Sequence, residues 1–170
     1  MNTAVVLVLL VVAQRLGELI YGQRNTRRLL AEGAVEAGAG HYPVIVLIHS
    51  SWLMALLIVA SRAPDLNWWM VGLYGLLQIG RLWVLVSLGR YWTPRVITLP
   101  GAPLIRRGPY RFLRHPNYAV VVAEIAVLPL ALGAWQVAFV FSILNGAVLA
   151  WRIQIEDRTL AERYRSDASR

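Results

Sequence analysis

The chain has 170 residues, 58% of them hydrophobic, a net charge of +8 and no cysteine. That length suits one domain, but the composition is too apolar for an ordinary soluble one. The lack of cysteine excludes a disulfide framework, a thiolate nucleophile and a cysteine-ligated metal, so chemistry has to rest on His, carboxylates, Arg, Tyr or a bound cosubstrate, and no metal site is expected.

Residues 3–20 are the first apolar segment. No basic residue precedes them, unlike in a secretory signal, so they are expected to stay as a membrane helix. Residues 22–41, with Arg24, Arg27, Arg28 and the turn-prone Gly38 to Gly40, read as a polar loop with room for a short surface helix. Residues 42–60 form a second span of about the length a bilayer core requires. A short turn at 61–67 leads to a third span at 68–88, opened by Trp68 and Trp69 where interfacial aromatics belong. The connection 89–117 carries Pro94, Pro100, Pro103, Pro109 and Pro116, too many for one continuous helix. Residues 118–132 and 135–151, on either side of Gly133 and Ala134, are short for spans and read as a helical hairpin. Residues 152–164 should continue as a polar helix into water, with Arg152 and Glu156, and Arg158 and Glu162, at helical pair spacing. The expected fold class is an all-α integral membrane protein: a single membrane domain of about five transmembrane helices with a C-terminal cytoplasmic helix.

All 17 basic residues are arginine, which suggests a GC-rich bacterial genome. Three lie in 22–41, six in 89–117 and five from Arg152 onward, against Arg62 alone in the 61–67 turn. The positive-inside rule puts the three richer regions in the cytoplasm and the N-terminus outside, in agreement with an odd number of spans. Topology thus accounts for the charge, and nucleic-acid binding is not expected. Counting inward from the cytoplasmic ends puts Arg15, His49, Arg81, Glu124 and Asn145 roughly 10 Å deep, each on a different span. Intramembrane ionisable groups usually face the bundle interior and find partners. Arg81 with Glu124, or Arg15 with Glu18, are the expected pairs. The layer reads either as interhelical glue or as the lining of a chamber that meets a substrate through Arg81, Glu124 and His49.

The densest chemistry lies in Gly108 to Tyr118, Gly-Pro-Tyr-Arg-Phe-Leu-Arg-His-Pro-Asn-Tyr. Pro109 and Pro116 hold it in a defined non-helical shape, and His115, just before a proline, is biased towards an extended conformation. A rigid, basic, aromatic segment at a membrane entrance suits an anionic or nucleotide-like ligand. In the tail, Ile153, Asp157, Leu160 and Tyr164 share a helical stripe, which places Asp157 among apolar neighbours, while Glu156 projects along the line of Arg152 and Thr159.

Arg114-His115-Pro116-Asn117-Tyr118, followed after two apolar helices by Glu156-Asp157, resembles the Arg-His-Pro-x-Tyr and Glu-Glu signature of the isoprenylcysteine carboxyl methyltransferase family and its phospholipid methyltransferase relatives. The resemblance covers about residues 89–164. Arg-Leu-Gly-Glu at 15–18 and His-Tyr-Pro at 41–43 look more like a bacterial branch associated with type III polyketide synthases and with methylation of alkylpyrones or alkyl-quinol lipids. Asp157 departs from the usual second Glu. The resemblance implies a membrane methyltransferase that uses S-adenosyl-L-methionine without a Rossmann domain. Carried over, Leu104, Gly108, Pro109, Tyr110, His115, Tyr118, Glu156 and Asp157 become the expected cofactor contacts.

Methyl transfer from a sulfonium is an in-line displacement with an activated leaving group, so alignment is most of the task. Arg114 is the expected clamp for the acceptor oxygen, and His115 or Glu156 the expected base if the acceptor is a phenol. The acceptor is expected to be a lipophilic small molecule or a prenylated substrate drawn laterally from the membrane lipid. An NADPH-dependent membrane reductase of sterol-reductase type is the second enzyme reading, and a small transporter or scaffold the non-enzyme one.

Overall fold

The computed structural model describes residues 2–62, 64–102 and 105–168, with side chains in the last helix described through Ala161. Five helices dominate: α1 (Thr3–Ala31), α2 (His41–Ser61), α3 (Trp68–Leu88), α4 (Pro116–Ala131) and α5 (Trp135–Ala168). Helices α1, α2, α3 and α5 are long and apolar enough to cross a membrane, while the apolar α4 has only 16 residues. This is an all-α membrane protein. Two antiparallel two-residue strands, β1 (Val35–Glu36) and β2 (Ile97–Thr98), form the one sheet among the described residues.

Val8 and Val11 of α1, Trp52 and Leu56 of α2, Tyr74 of α3 and Ile125 and Leu128 of α4 build the buried core. Outside it, Leu10, Leu47, Leu76, Ile79 and Phe139 stand exposed. Helices apolar on both faces fit a hydrocarbon surround better than water. At one end, the Asn2 side chain caps α1, accepting from Val5 N at 2.8 Å, and donates to Ala60 O at 3.0 Å. Asn67 caps α3 and its backbone N–H reaches Ala131 O at 2.9 Å. These two asparagines tie together the ends of four helices where loops are shortest.

The opposite end carries the longer connections. Here the fold departs from expectation, because the polar stretch after Ile20 is not a loop: α1 runs on to Ala31. Its last turns bury Asn25, Thr26 and Leu29. Asn25 Nδ2 donates to Gly89 O at 3.2 Å and Trp92 O at 2.9 Å, and Tyr21 stacks on Trp92 with ring centroids 6.0 Å apart. Gly22 permits this approach, since a Cβ there would lie 2.6 Å from Pro94 Cδ. The extension is stabilised by the 89–117 connection folding back on it, a tertiary effect that hydropathy does not register. The strand pair, an Arg90–Glu32 ion pair at 2.7 Å and an Arg95–Glu36 pair at 2.8 Å tie the same connection to the linker between α1 and α2.

Candidate active site

The Gly108 to Tyr118 stretch starts from a backbone constraint. Gly108 has φ +58°, and a Cβ on it would overlap Ser87 Oγ and sit 3.1 Å from Trp83 Nε1. Only glycine allows this turn to press against α3 in that conformation. Pro109 is buried in the following 3-10 turn, and Arg107 Nε donates to Ser87 O at 2.7 Å. Gly108 and Pro109 therefore seat the segment on α3, and Tyr110 and Leu113 to His115 after them face a cavity. Pro116 then opens α4, where a missing N–H costs nothing.

The cavity has a volume of about 540 Å³, within the range of small-molecule sites. Tyr110, Arg114, His115, Tyr118, Glu156 and Asp157 all line it. Six of the residues expected at the site thus come together from three elements. Leu104 lies outside the described residues. Glu162, expected to pair with Arg158, and Tyr164 have no described side chains.

Within this wall, His115 stacks on Tyr118 with ring centroids 5.4 Å apart. Its Nδ1 is 3.9 Å from Glu156 Oε1 and its Nε2 3.5 Å from Asp157 Oδ1. Arg114, with a side chain 83% exposed, stands at the rim with Nη2 3.6 Å from the same Asp157 oxygen. Asp157 is therefore in ionic company as well as on its apolar stripe. Burial, with Glu156 nearby, raises the Tyr110 phenol above its ordinary value, so it stays protonated.

Residues 152 and 156 were expected as a direct helical pair, but the Tyr118 hydroxyl mediates between them. Arg152 Nε donates to that hydroxyl at 2.8 Å, and the hydroxyl in turn donates to Glu156. An arginine has only donors, so the phenol must accept from it, which leaves its own proton for the carboxylate. Arg152 Nη1 also donates to Pro94 O at 2.6 Å. The buried arginine thus fixes the connection, α4 and α5 relative to one another.

Sequence reasoning did not single out Trp92, Thr98 or Asn117 as site residues. All three line the cavity, and Trp92 Nε1, Thr98 Oγ1 and Asn117 Oδ1, together with Asp157 Oδ1, are buried with no hydrogen-bond partner among the described residues. Trp92 reads in sequence as an interfacial anchor. Its place within Arg90-Tyr91-Trp92-Thr93-Pro94, a polar and aromatic run between two spans, was the available signal.

The intramembrane layer lies apart from this cavity. Arg15, Glu18, Arg81 and Glu124 form one network, in which both expected pairs occur along with two cross-links. Arg15 reaches Glu18 and Glu124 at 2.9 Å, and Arg81 reaches Glu18 at 2.6 Å and Glu124 at 2.9 Å. Gln14 and Gln78 donate to the remaining faces of Glu18 and Glu124 at 2.9 and 2.8 Å. His49 is half-buried, its Nδ1 2.9 Å from Ile45 O in its own helix. Asn145 is buried with its Nδ2 unpartnered.

The isoprenylcysteine carboxyl methyltransferase (ICMT) family profile matches residues 70–162, more than half of the chain. That range holds all but the first two residues of α3, the connection, α4 and the acidic pair of α5. The chain is 36% identical over 162 residues to the uncharacterized protein YpbQ of Bacillus subtilis, covering 92% of this chain and 95% of that one. It is 26% identical over 160 residues to an uncharacterized protein of Haemophilus influenzae, covering 91% and 92% respectively. No solved structure matches it significantly. The cavity, the Arg-His-Pro-x-Tyr segment that walls it and the family match coincide on one part of the molecule, and the chain belongs to the ICMT family of membrane methyltransferases.

Proposed function

We propose that the chain is an S-adenosyl-L-methionine-dependent membrane O-methyltransferase whose cofactor binds in the cavity between the connection and α5. The observation that carries this reading is the group of buried polar atoms without a hydrogen-bond partner on Trp92, Thr98 and Asn117, beside an Asp157 carboxylate whose ionic contacts stay at 3.5–3.6 Å, around a cavity of about 540 Å³. Buried donors and acceptors are costly to leave unmet, by about 1–3 kcal/mol each. A ligand with amine, hydroxyl and carboxylate groups satisfies such a set, and an apolar one does not. Glu156 and Asp157 complement a cationic cofactor and its hydroxyls, and the His115–Tyr118 stack offers aromatic surface.

The cofactor supplies a methyl group on a positively charged sulfur. The chain's own part is then alignment and charge. Tyr118, fixed from below by Arg152, orients Glu156. His115 stands between the two carboxylates as the candidate base for a phenolic acceptor. Arg114, at the exposed rim, holds the charge of the acceptor oxygen. The acceptor is a lipophilic carboxylate, enol or phenol arriving from the bilayer, so its tail never crosses water. For Arg81 and Glu124 the geometry supports a helix clamp rather than contact with the acceptor. All three guanidinium nitrogens of Arg81 and both oxygens of Glu124 are engaged inside the network. His49 is then the acceptor-side candidate within the bundle.

The test is calorimetric titration of detergent-solubilised protein with S-adenosylhomocysteine, alongside His115→Ala and Glu156→Ala. Binding by the wild type that both variants lose supports the site, and lipid acceptors can then be screened with a labelled methyl donor. A folded wild type that ignores S-adenosylhomocysteine and binds NADPH sinks this reading in favour of a reductase.

A further inference from the structure

We infer that the 106–114 segment is a membrane-seated wall of the cofactor cavity: Phe112 and Leu113 insert among anionic lipid headgroups, Arg106 and Arg111 beside them bind those headgroups, and cofactor affinity depends on the charge of the leaflet. The cofactor part of this inference rests on the function proposed above. The docking part does not.

Phe112 is 75% exposed and Leu113 53%, on a segment held to α3 at Gly108, Pro109 and Arg107. Arg106 and Arg111 are exposed beside them. Two large apolar side chains flanked by arginines on a short fixed turn match the surface chemistry of an anionic bilayer, apolar groups entering and cations meeting phosphates. Chain geometry lets the patch reach that depth. The 16 residues of α4 cover about 24 Å, short of the about 30 Å hydrocarbon core, so flanking residues complete the crossing. Phe112 precedes Pro116 by four residues and is no more than about 14 Å from it. Leu113 and Arg114 also line the cavity, whereas Arg111 and Phe112 do not. What grips the outer face of this turn therefore fixes the inner one.

Because the chain has no cysteine, Phe112→Cys offers one attachment point for an environment-sensitive fluorophore. The labelled full chain is placed in nanodiscs of phosphatidylcholine with or without phosphatidylglycerol. Docking predicts blue-shifted emission with the anionic lipid, reversed by salt and lost when Arg111→Gln is added. In unlabelled wild type, S-adenosylhomocysteine affinity should rise about threefold or more with phosphatidylglycerol, and Arg111→Gln/Phe112→Ser should abolish that rise. An emission indifferent to lipid charge overturns the docking, whatever the cofactor result. A shift that follows the number of chains per disc assigns the face to a second copy and overturns it too. A charge-dependent shift with affinity unchanged overturns the coupling. A charge-dependent shift with no cofactor binding in any lipid upholds the docking and removes the function proposed above.

Discussion

Two clusters of charge sit on this helical bundle, one among the spans and one at their rim, and they are completed to different degrees. Arg15, Glu18, Arg81 and Glu124 compensate one another two against two, and every carboxylate oxygen in the layer has a partner. At the rim, Arg114, His115, Glu156 and Asp157 approach at 3.5–3.9 Å without closing, and unpartnered polar atoms surround them. Both clusters bring arginine and carboxylate together from different helices and connections. A cluster that saturates itself holds helices together. One that stays short of partners has room for a ligand, as the proposed function requires.

The contrast is broken most sharply by Arg81→Ala. It should cost on the order of 3 kcal/mol of stability, because it leaves Glu18 and Glu124 with less than full compensation away from water. Arg81→Met/Glu124→Met should recover more than half of that loss, since a neutral apolar pair carries no unmet charge. Thermal unfolding in detergent reads both, and S-adenosylhomocysteine affinity of the folded fraction should change less than about twofold. An affinity loss as large as the stability loss would place Arg81 in the site instead.

Glu156→Ala reverses the pattern. It should weaken S-adenosylhomocysteine by about 30-fold or more, the equivalent of about 2 kcal/mol, with little change in melting temperature. Arg152→Ala falls between the clusters, since this buried arginine ties down the connection through Pro94 and, through Tyr118, holds the carboxylate of the proposed site. We expect about a tenfold loss of affinity with a stability cost of about 1–2 kcal/mol, and partial rescue by Arg152→Lys. The smallest effect concerns pH. Burial raises the Tyr110 phenol above its ordinary value of 10.0, so the folded chain keeps this proton where the unfolded chain would release it. Its contribution is complete below pH 10 and is lost as pH rises from there. Tyr110→Phe should flatten the alkaline limb of the stability profile and leave it unchanged near neutrality.

Much of this was legible in the sequence. Hydropathy located the apolar segments, and Gly108, Pro109, His115 and Pro116 marked a fixed turn, because glycine and proline restrict the backbone whatever surrounds them. The Arg81–Glu124 pair followed from depth, since charges inside a bilayer usually find partners, and Arg15–Glu18 was its alternative; the structure holds both. Illegible were contacts that depend on the chain folding back on itself. The last turns of α1 exist because Asn25 and Gly22 meet Trp92 and Pro94 some 70 residues on. The two-residue strands are too short for any alternating pattern. Trp92 and Arg152 carry residue types that serve equally well at an interface, and only tertiary structure shows them turned inward.

Helix α5 is a single 34-residue rod, and this makes it a mechanical part. Trp135 lies at its far end and Glu156 stands 21 residues along, about 32 Å away at 1.5 Å per residue. A change in tilt of about 10° at the Trp135 end displaces that carboxylate by about 5 Å, more than the gaps that separate it from His115. The tilt of a membrane helix is set by its packing against its neighbours. The acidic side of the cavity is thus mounted on a long lever, and the bonds of Arg152 to Tyr118 and Pro94, one turn before Glu156, are the catch that holds the lever's working end in place.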